Sequence, residues 1–398
     1  MTSPDHSTGD AQLHQSNQLN RSNRSNRSNQ SNQSNQSERS QVADERNGPR
    51  RKRRRQRDDV MVPEVAFDSY YGRAVIKPAP WDYRIPTYLY TGGLAAGSAL
   101  IAAGAEMTGR TQMQRNSRLV ALGALGVSTA ALVSDLGRPE RFLNMLRVLK
   151  LTSPMSIGTW ILGAFGAFTG VGAASEVAKV MIDTDKRFGR FLPVIDRAAS
   201  IGAGFFAAPL AAYTAVLLSN TATPTWHGVY KELPFVFVGS GTAAAAGAAM
   251  ITTSPLEAAP ARRMALFGAG LELGGYEVMT RNAGLIGEPL RQGKAGKLLK
   301  AAKTLTVVGS ALTVLSRKRR VPAVAAGLAL NASSALLRFG VFYAGIESAK
   351  DPKYTVIPQK ERIAAQEAGA ELSQRSRATT VVPTLVRTKY DELDDSGG

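Results

Sequence analysis

Apolar residues are gathered in the middle of the chain. From Ile85 to Ile346 the sequence is a series of Ala-, Gly-, Leu- and Val-rich runs, whereas the first 80 residues and the last 50 are polar. A helix crossing ~30 Å of hydrocarbon at ~1.5 Å per residue needs about 20 mostly apolar residues. Eight runs approach that length: Pro86–Glu106, Leu119–Leu136, Pro154–Val180, Pro193–Ser219, Val229–Thr252, Arg263–Met279, Leu298–Leu315 and Val321–Ile346. The weakest are Arg263–Met279, which holds Glu272 and Glu277, and Leu298–Leu315, which starts among lysines. The pattern predicts an all-α integral membrane protein with eight transmembrane helices, arranged as two four-helix bundles. Its expected divisions are a tail over 1–80, a membrane domain over 81–350 and a polar C-terminal tail over 351–398, both tails being disordered.

The runs are rich in small residues, as in "GGLAAGSALIAAGA", "GAFGAFTG" and "GSGTAAAAGAA". Lipid tails give helices no hydrophobic reason to associate, so close backbone approach at Gly and Ala supplies the packing. Gly93 with Gly97, and Gly166 with Gly170, have the spacing for it.

Composition changes the picture at the ends. The N-terminal tail repeats RSN and QSN triplets, which have almost nothing apolar to bury against the entropy of ordering. It lacks the apolar core of a signal peptide. The run Arg50–Arg57, "RRKRRRQR", reads as a segment drawn to anionic headgroups rather than to nucleic acid. Lysine and arginine near the span ends are almost balanced between the two sides, so the loops do not set orientation. The basic tail places both termini in the cytoplasm of a protein of the cell membrane. The chain of 398 residues carries a formal charge of +18, no cysteine and three histidines, His6, His14 and His227. That excludes disulfides, thiolate-held metal or iron–sulfur clusters and a bis-histidine haem among the helices.

Ionisable residues at membrane depth are costly and face protein or water. Glu176, Asp196 and Glu347 sit at span ends, where snorkelling accounts for them. Asp135 and Glu272 do not fit that account as well, and Tyr276 shares a helix face with Glu272. The stretch Ser134–Trp160, "SDLGRPERFLNMLRVLKLTSPMSIGTW", stands out. Gly137 and Pro139 end the second span. Phe142, Leu143, Leu146 and Leu149 then suit a short interfacial amphipathic helix, with Arg141, Arg147 and Lys150 on its wet side. Pro154 opens the next helix. These residues alone fit a basic interfacial loop and a functional site equally well.

The pattern "DLGRP.RF…SPMS.G.W" resembles the NrfD/polysulfide-reductase membrane-subunit family. "YLYTGGLAAGSAL" (Tyr88–Leu100) and "ALLRFGVFYAGIESAKDPKY" (Ala335–Tyr354) are similar to that family's first and last helices, so the likeness runs from Trp81 to Pro358. The resemblance implies an eight-helix, quinone-reactive anchor without haem or cluster of its own. Its substrate would be menaquinone or ubiquinone. Its partners would be an iron–sulfur electron-transfer subunit and a molybdopterin catalytic subunit, with a quinone pocket on the side of the DLGRP loop. Quinone reduction needs an apolar slot, hydrogen-bond donors and a carboxylate path for protons. Asp135 and Glu106 are the expected proton handlers. Arg138 and Arg141 are expected to stabilise charge on the quinone oxygen or to fix those carboxylates. Tyr88 and Trp160 are expected to hydrogen-bond or pack on the ring. Glu272, Tyr276 and Arg338 complete the binding set, Arg338 matching a family arginine and expected to pair with a carboxylate. No metal site is expected. An ion-translocating module and a passive anchor are the competing readings.

Overall fold

A computed structural model describes residues 74–181, 191–317 and 319–380. The expected N-terminal tail lies outside the described residues, apart from its last few positions. All regular structure among them is helical. The long helices are α1 (Arg84–Met107), α2 (Thr111–Asp135), α3 (Pro154–Met181), α4 (Leu192–Ser219), α5 (Leu233–Thr252), α6 (Ala259–Asn282), α7 (Gly293–Leu315), α8 (Arg320–Lys350) and α9 (Lys353–Thr380). Each apolar run of the sequence maps onto one of α1–α8. Val229 to Glu232, expected within a span, instead form a turn before α5.

Local chemistry sets the ends. The Asp82 carboxylate accepts the Arg84 amide at 2.8 Å where α1 opens. Gly109, at φ 66°, makes the left-handed turn into α2. Pro154 is the first residue of α3, and Pro193, Pro234 and Pro260 lie in the first turns of α4, α5 and α6.

Six helices, α2, α3, α4, α5, α7 and α8, are long and apolar enough to cross a membrane. Two expected spans fall short by composition, each for a visible reason. Helix α6 carries Arg262, Arg263, Glu272, Glu277 and Arg281. Helix α1 is diluted by Gly, Thr, Ser and Tyr, but most of its residues are buried against protein rather than offered to lipid.

Helix α1 packs on α2 and α4, and α3 packs on α4. Helix α5 packs on α6 and α8, and α7 packs on α8. Contacts of α1 with α5 join the two sets. Glycine makes that junction possible. A Cβ on Gly97 would stand 2.6 Å from the Ala245 Cβ, and one on Gly241 would stand 3.2 Å from the Gly93 carbonyl. Elsewhere on α5, Gly239 meets Gly268 of α6 and Gly247 meets Gly327 of α8. The second pair noted in the sequence behaves differently. Gly166 makes only ordinary contact and Gly170 faces open space.

The first part of the C-terminal tail departs from expectation, while residues 381–398 lie outside the described residues. Residues Lys353–Thr380 form helix α9 instead of disordered chain. Its "QKERIAAQEAGAELSQR" is dense in good helix formers, which the polar composition concealed. Among the described residues, the helix is anchored at its start. Glu288 receives Lys353 at 3.0 Å and the Tyr354 hydroxyl at 3.2 Å, and Tyr354 is buried.

Candidate functional site

A narrow slot of about 100 Å³ lies where the start of α1, the end of α2, the start of α3 and the end of α4 meet. Trp81, Ile85 and Tyr88 form its α1 side, and Leu132 and Asp135 its α2 side. Met155, Gly158, Thr159 and Leu162 come from α3, and Tyr213 and Leu217 from α4. Its cover is a 3₁₀ helix, Pro139–Leu146, that contributes Phe142 and Met145.

The cover explains the DLGRP stretch. Helix α2 stops at Asp135, Leu136 turns to extended backbone, and Pro139 starts the 3₁₀ segment. With three residues per turn, Phe142 and Met145 lie one above the other and enter the slot together. Leu146 reaches α3 at Gly163. Leu143 and Leu149, expected on the apolar face of an α-helix, are 68% and 54% exposed. The face differs because the helical period differs.

The "SPMSIG" stretch resolves residue by residue. Pro154 opens α3. The Ser156 hydroxyl accepts the Lys150 amide at 3.0 Å and donates to the Val148 carbonyl at 3.0 Å, closing the loop. Gly158 seats the Tyr213 ring, which occupies the space of a Cβ. Behind Trp81, Trp226 stacks at 5.8 Å and Phe342 follows at 5.8 Å. Trp226 is fully buried and donates its indole N–H to the Val341 carbonyl at 2.8 Å.

Of the sequence-predicted residues, the structure brings Tyr88 and Asp135 together at the slot. It does not bring Glu106 there. Glu106 lies 18 residues along α1 from Tyr88, about 27 Å at ~1.5 Å per residue. Trp160 is 41% exposed and does not line the slot, because Gly158 and Thr159 take the inward positions of that turn. Arg138 is exposed at the head of the 3₁₀ segment. The side chain of Arg141 lies outside the described residues.

Glu272 and Arg338 occupy a separate, closed interior among α5–α8. Glu272 is 2% exposed and accepts the Thr306 hydroxyl at 2.7 Å. Arg338 is fully buried, donates to the Phe237 carbonyl at 2.7 Å and to Ser334 at 3.2 Å, and lies 4.4 Å over the Phe237 ring. No direct ion pair joins Arg338 to a carboxylate among the described residues. Ser334 and Ser240, 3.0 Å apart, stand on the side of Glu272 instead. Tyr276, half-buried, packs at the edge of the neighbouring apolar cluster.

A third charged group sits at the far end of α1. Arg118 of α2 is 5% exposed. It meets Glu106 of α1 at 3.2 Å, Glu176 of α3 at 2.5 Å and Asp196 of α4 at 2.5 Å. Lys179 reaches Glu176 at 3.1 Å and Asp196 at 2.9 Å. Glu176 and Asp196 are therefore interior ion-pair partners, not snorkelling residues. Arg118, Tyr213, Trp226 and Arg84 were not among the residues the sequence singled out. A lone arginine at the start of an apolar run and a lone tyrosine within one were the available signals.

Residues 74–266 match the family model described as Polysulphide reductase, NrfD. That is the family to which the DLGRP stretch points, and the matched residues include every residue that lines the slot. Glu272 and Arg338 lie beyond them. No curated protein matches the chain.

Proposed function

We propose that this chain is the quinone-reactive membrane subunit of an oxidoreductase complex. It crosses the cell membrane eight times in two four-helix groups, α1–α4 and α5–α8, with both termini in the cytoplasm. Its partners are an iron–sulfur electron-transfer subunit and a molybdopterin catalytic subunit. The observation that carries this reading is the slot itself. It is apolar, and it brings one carboxylate, Asp135, and two phenols, Tyr88 and Tyr213, from three helices to one slot beneath the DLGRP cover.

In this reading a quinone accepts two electrons from the partner's clusters and two protons, giving quinol. Tyr88 and Tyr213 hydrogen-bond a carbonyl oxygen of the ring, and Asp135 passes protons to it. The apolar walls hold the ring and exclude water. Size adds a requirement. The slot is smaller than the ~150 Å³ apolar cavity that holds benzene. A quinone ring therefore enters by displacing Phe142, Met145 and Met155, of which the two methionines are the most adaptable.

The test is Asp135→Asn in the purified complex. Quinone-linked turnover should fall about 10²-fold or more, the range of a lost proton-transfer group. Electron transfer from the partner to artificial dyes should be unchanged. Wild-type quinone turnover in the variant would sink the reading.

A second reading, an ion-translocating module, draws on the Arg118 cluster, where three carboxylates face two cations on the interior of α1–α4. Ion flux in vesicles that contain this chain alone would favour it.

A further inference from the structure

The charged rim of the slot has no part in the reading above. Arg84 lies one turn before Tyr88 on α1, so the two share a helix face. Its guanidinium donates to the carbonyl of Ser134 at 2.9 Å, the residue next to Asp135 in the last turn of α2. It also stands 3.6 Å from the Asp82 carboxylate. One arginine thus meets the free carbonyl end of α2, where a cation is favoured. It also carries its own counter-ion. Asp135 lies within electrostatic reach of both Asp82 and Arg84.

We infer that Arg84 is a positioning residue for the proposed quinone reaction: it fixes Asp135 at the mouth of the slot and supplies the cation beside which that carboxylate gains and loses its proton. The inference rests on the quinone reading. Among the described residues, the groups that face Asp135 are few. Asp82, Arg84 and Tyr88 come from α1 and its entry, and Tyr213 comes from α4. Arg138 and Glu140 follow on the exposed turn, while α3 offers only uncharged Met155 and Thr159. Among the described residues, Arg84 is thus the cation tied directly to the last turn of α2. Removing it frees the α2 terminus from α1. It also destabilises the ionised form of the neighbouring carboxylate, so any activity that needs this form moves to higher pH. Lysine in its place restores the charge but not the fork that reaches Ser134 and Asp82 together.

Two measurements on the intact complex test this. Arg84→Ala should lower kcat for quinone about tenfold, with KM changed less than about twofold, and should move the acid limb of the pH profile upward. Arg84→Lys should return the limb towards its wild-type position while recovering only part of kcat. Wild-type kcat and pH profile in Arg84→Ala, or an unmoved limb in both variants, would overturn the inference. Separately, amide hydrogen exchange over residues 134–146 should rise in Arg84→Ala; unchanged exchange there also overturns it. Absence of quinone turnover in the wild-type complex is a failure of the quinone reading, and the exchange measurement then decides the clamp alone.

Discussion

The ring of Tyr213 rests on the bare backbone of Gly158, in the space that any larger residue at 158 fills with its own side chain. Helices α3 and α4 meet there, and the phenol is aimed along the slot wall as a result. Gly158→Ala forces the ring away. Overpacking of this kind costs about 1–3 kcal/mol. We expect a lower unfolding temperature and at least a tenfold loss of quinone-linked turnover. Tyr213→Leu in the same chain should recover the stability but not the turnover. A double-mutant cycle in thermal unfolding checks the coupling; strict additivity of the two changes would contradict the contact.

The Arg118 cluster yields a stability result of a different size. Arg118→Gln leaves Glu106, Glu176 and Asp196 around a neutral side chain, with Lys179 as the remaining cation of the group. Breaking a buried ion pair in this way costs about 3–5 kcal/mol. Lys179 is 38% exposed, so Lys179→Gln should cost about 1 kcal/mol or less. Denaturation in mild detergent separates the two, and equal losses would show that burial does not govern the cluster.

Glycines on α1 and α3 should respond differently. Gly97→Ala places a Cβ 2.6 Å from that of Ala245 and pushes α1 off α5. A loss of about 1–3 kcal/mol follows. Gly170→Ala meets nothing within 4 Å and gains helix propensity, so it should be neutral or stabilising by up to about 1 kcal/mol. Thermal unfolding of the pair is the check.

The attachment of α9 is set by pH at both ends. Lys353 beside Glu288 holds that carboxyl below its usual range, so its contribution is present above the unfolded carboxylate pKa and lost as pH falls through the folded one. Lys353 is raised above the usual lysine range, chiefly by Glu288, so its share is complete below the unfolded lysine pKa and fades as pH rises through the higher folded value. Amide protection factors at residues 353–362, taken against the unstructured rate at each pH, should therefore be highest near neutrality and fall towards both extremes. Flat protection across the acid range would argue against the pair.

Much of the fold was legible because membrane helices announce themselves by length and apolarity. Helices α3, α4, α5 and α8 are examples, with prolines marking several starts. Helix α9 was not legible, since a polar composition serves an exposed helix and a disordered tail alike. Part of the slot was legible. Tyr88 and Asp135, which both line it, could be singled out because one sits in a recognised helix and the other ends an apolar run. Tyr213 was not, because a tyrosine inside "LAAYTAVLL" has no sequence neighbour that shares its function; its partner Gly158 is 55 residues away. Glu106, expected with Asp135 as a proton handler, pairs with Arg118 at the other end of α1, because a carboxylate at a span end does not say which end of the bundle it joins. The amphipathic cover was expected as an α-helix, and its 3₁₀ period exchanged Leu143 for Met145 as the inward residue.

The indole of Trp226 lies against Gly345 and reports to Val341, both on α8, while its other face backs Trp81 at the slot. The family match ends at residue 266, yet the rear support of the slot comes from beyond residue 340. The two halves are thus not separable parts. A chain cut after the matched region keeps every slot residue and Trp226 in its sequence but removes Val341, Phe342 and Gly345, against which Trp226 rests. An excised half-protein made to study quinone alone is a different molecule from the one the full chain builds.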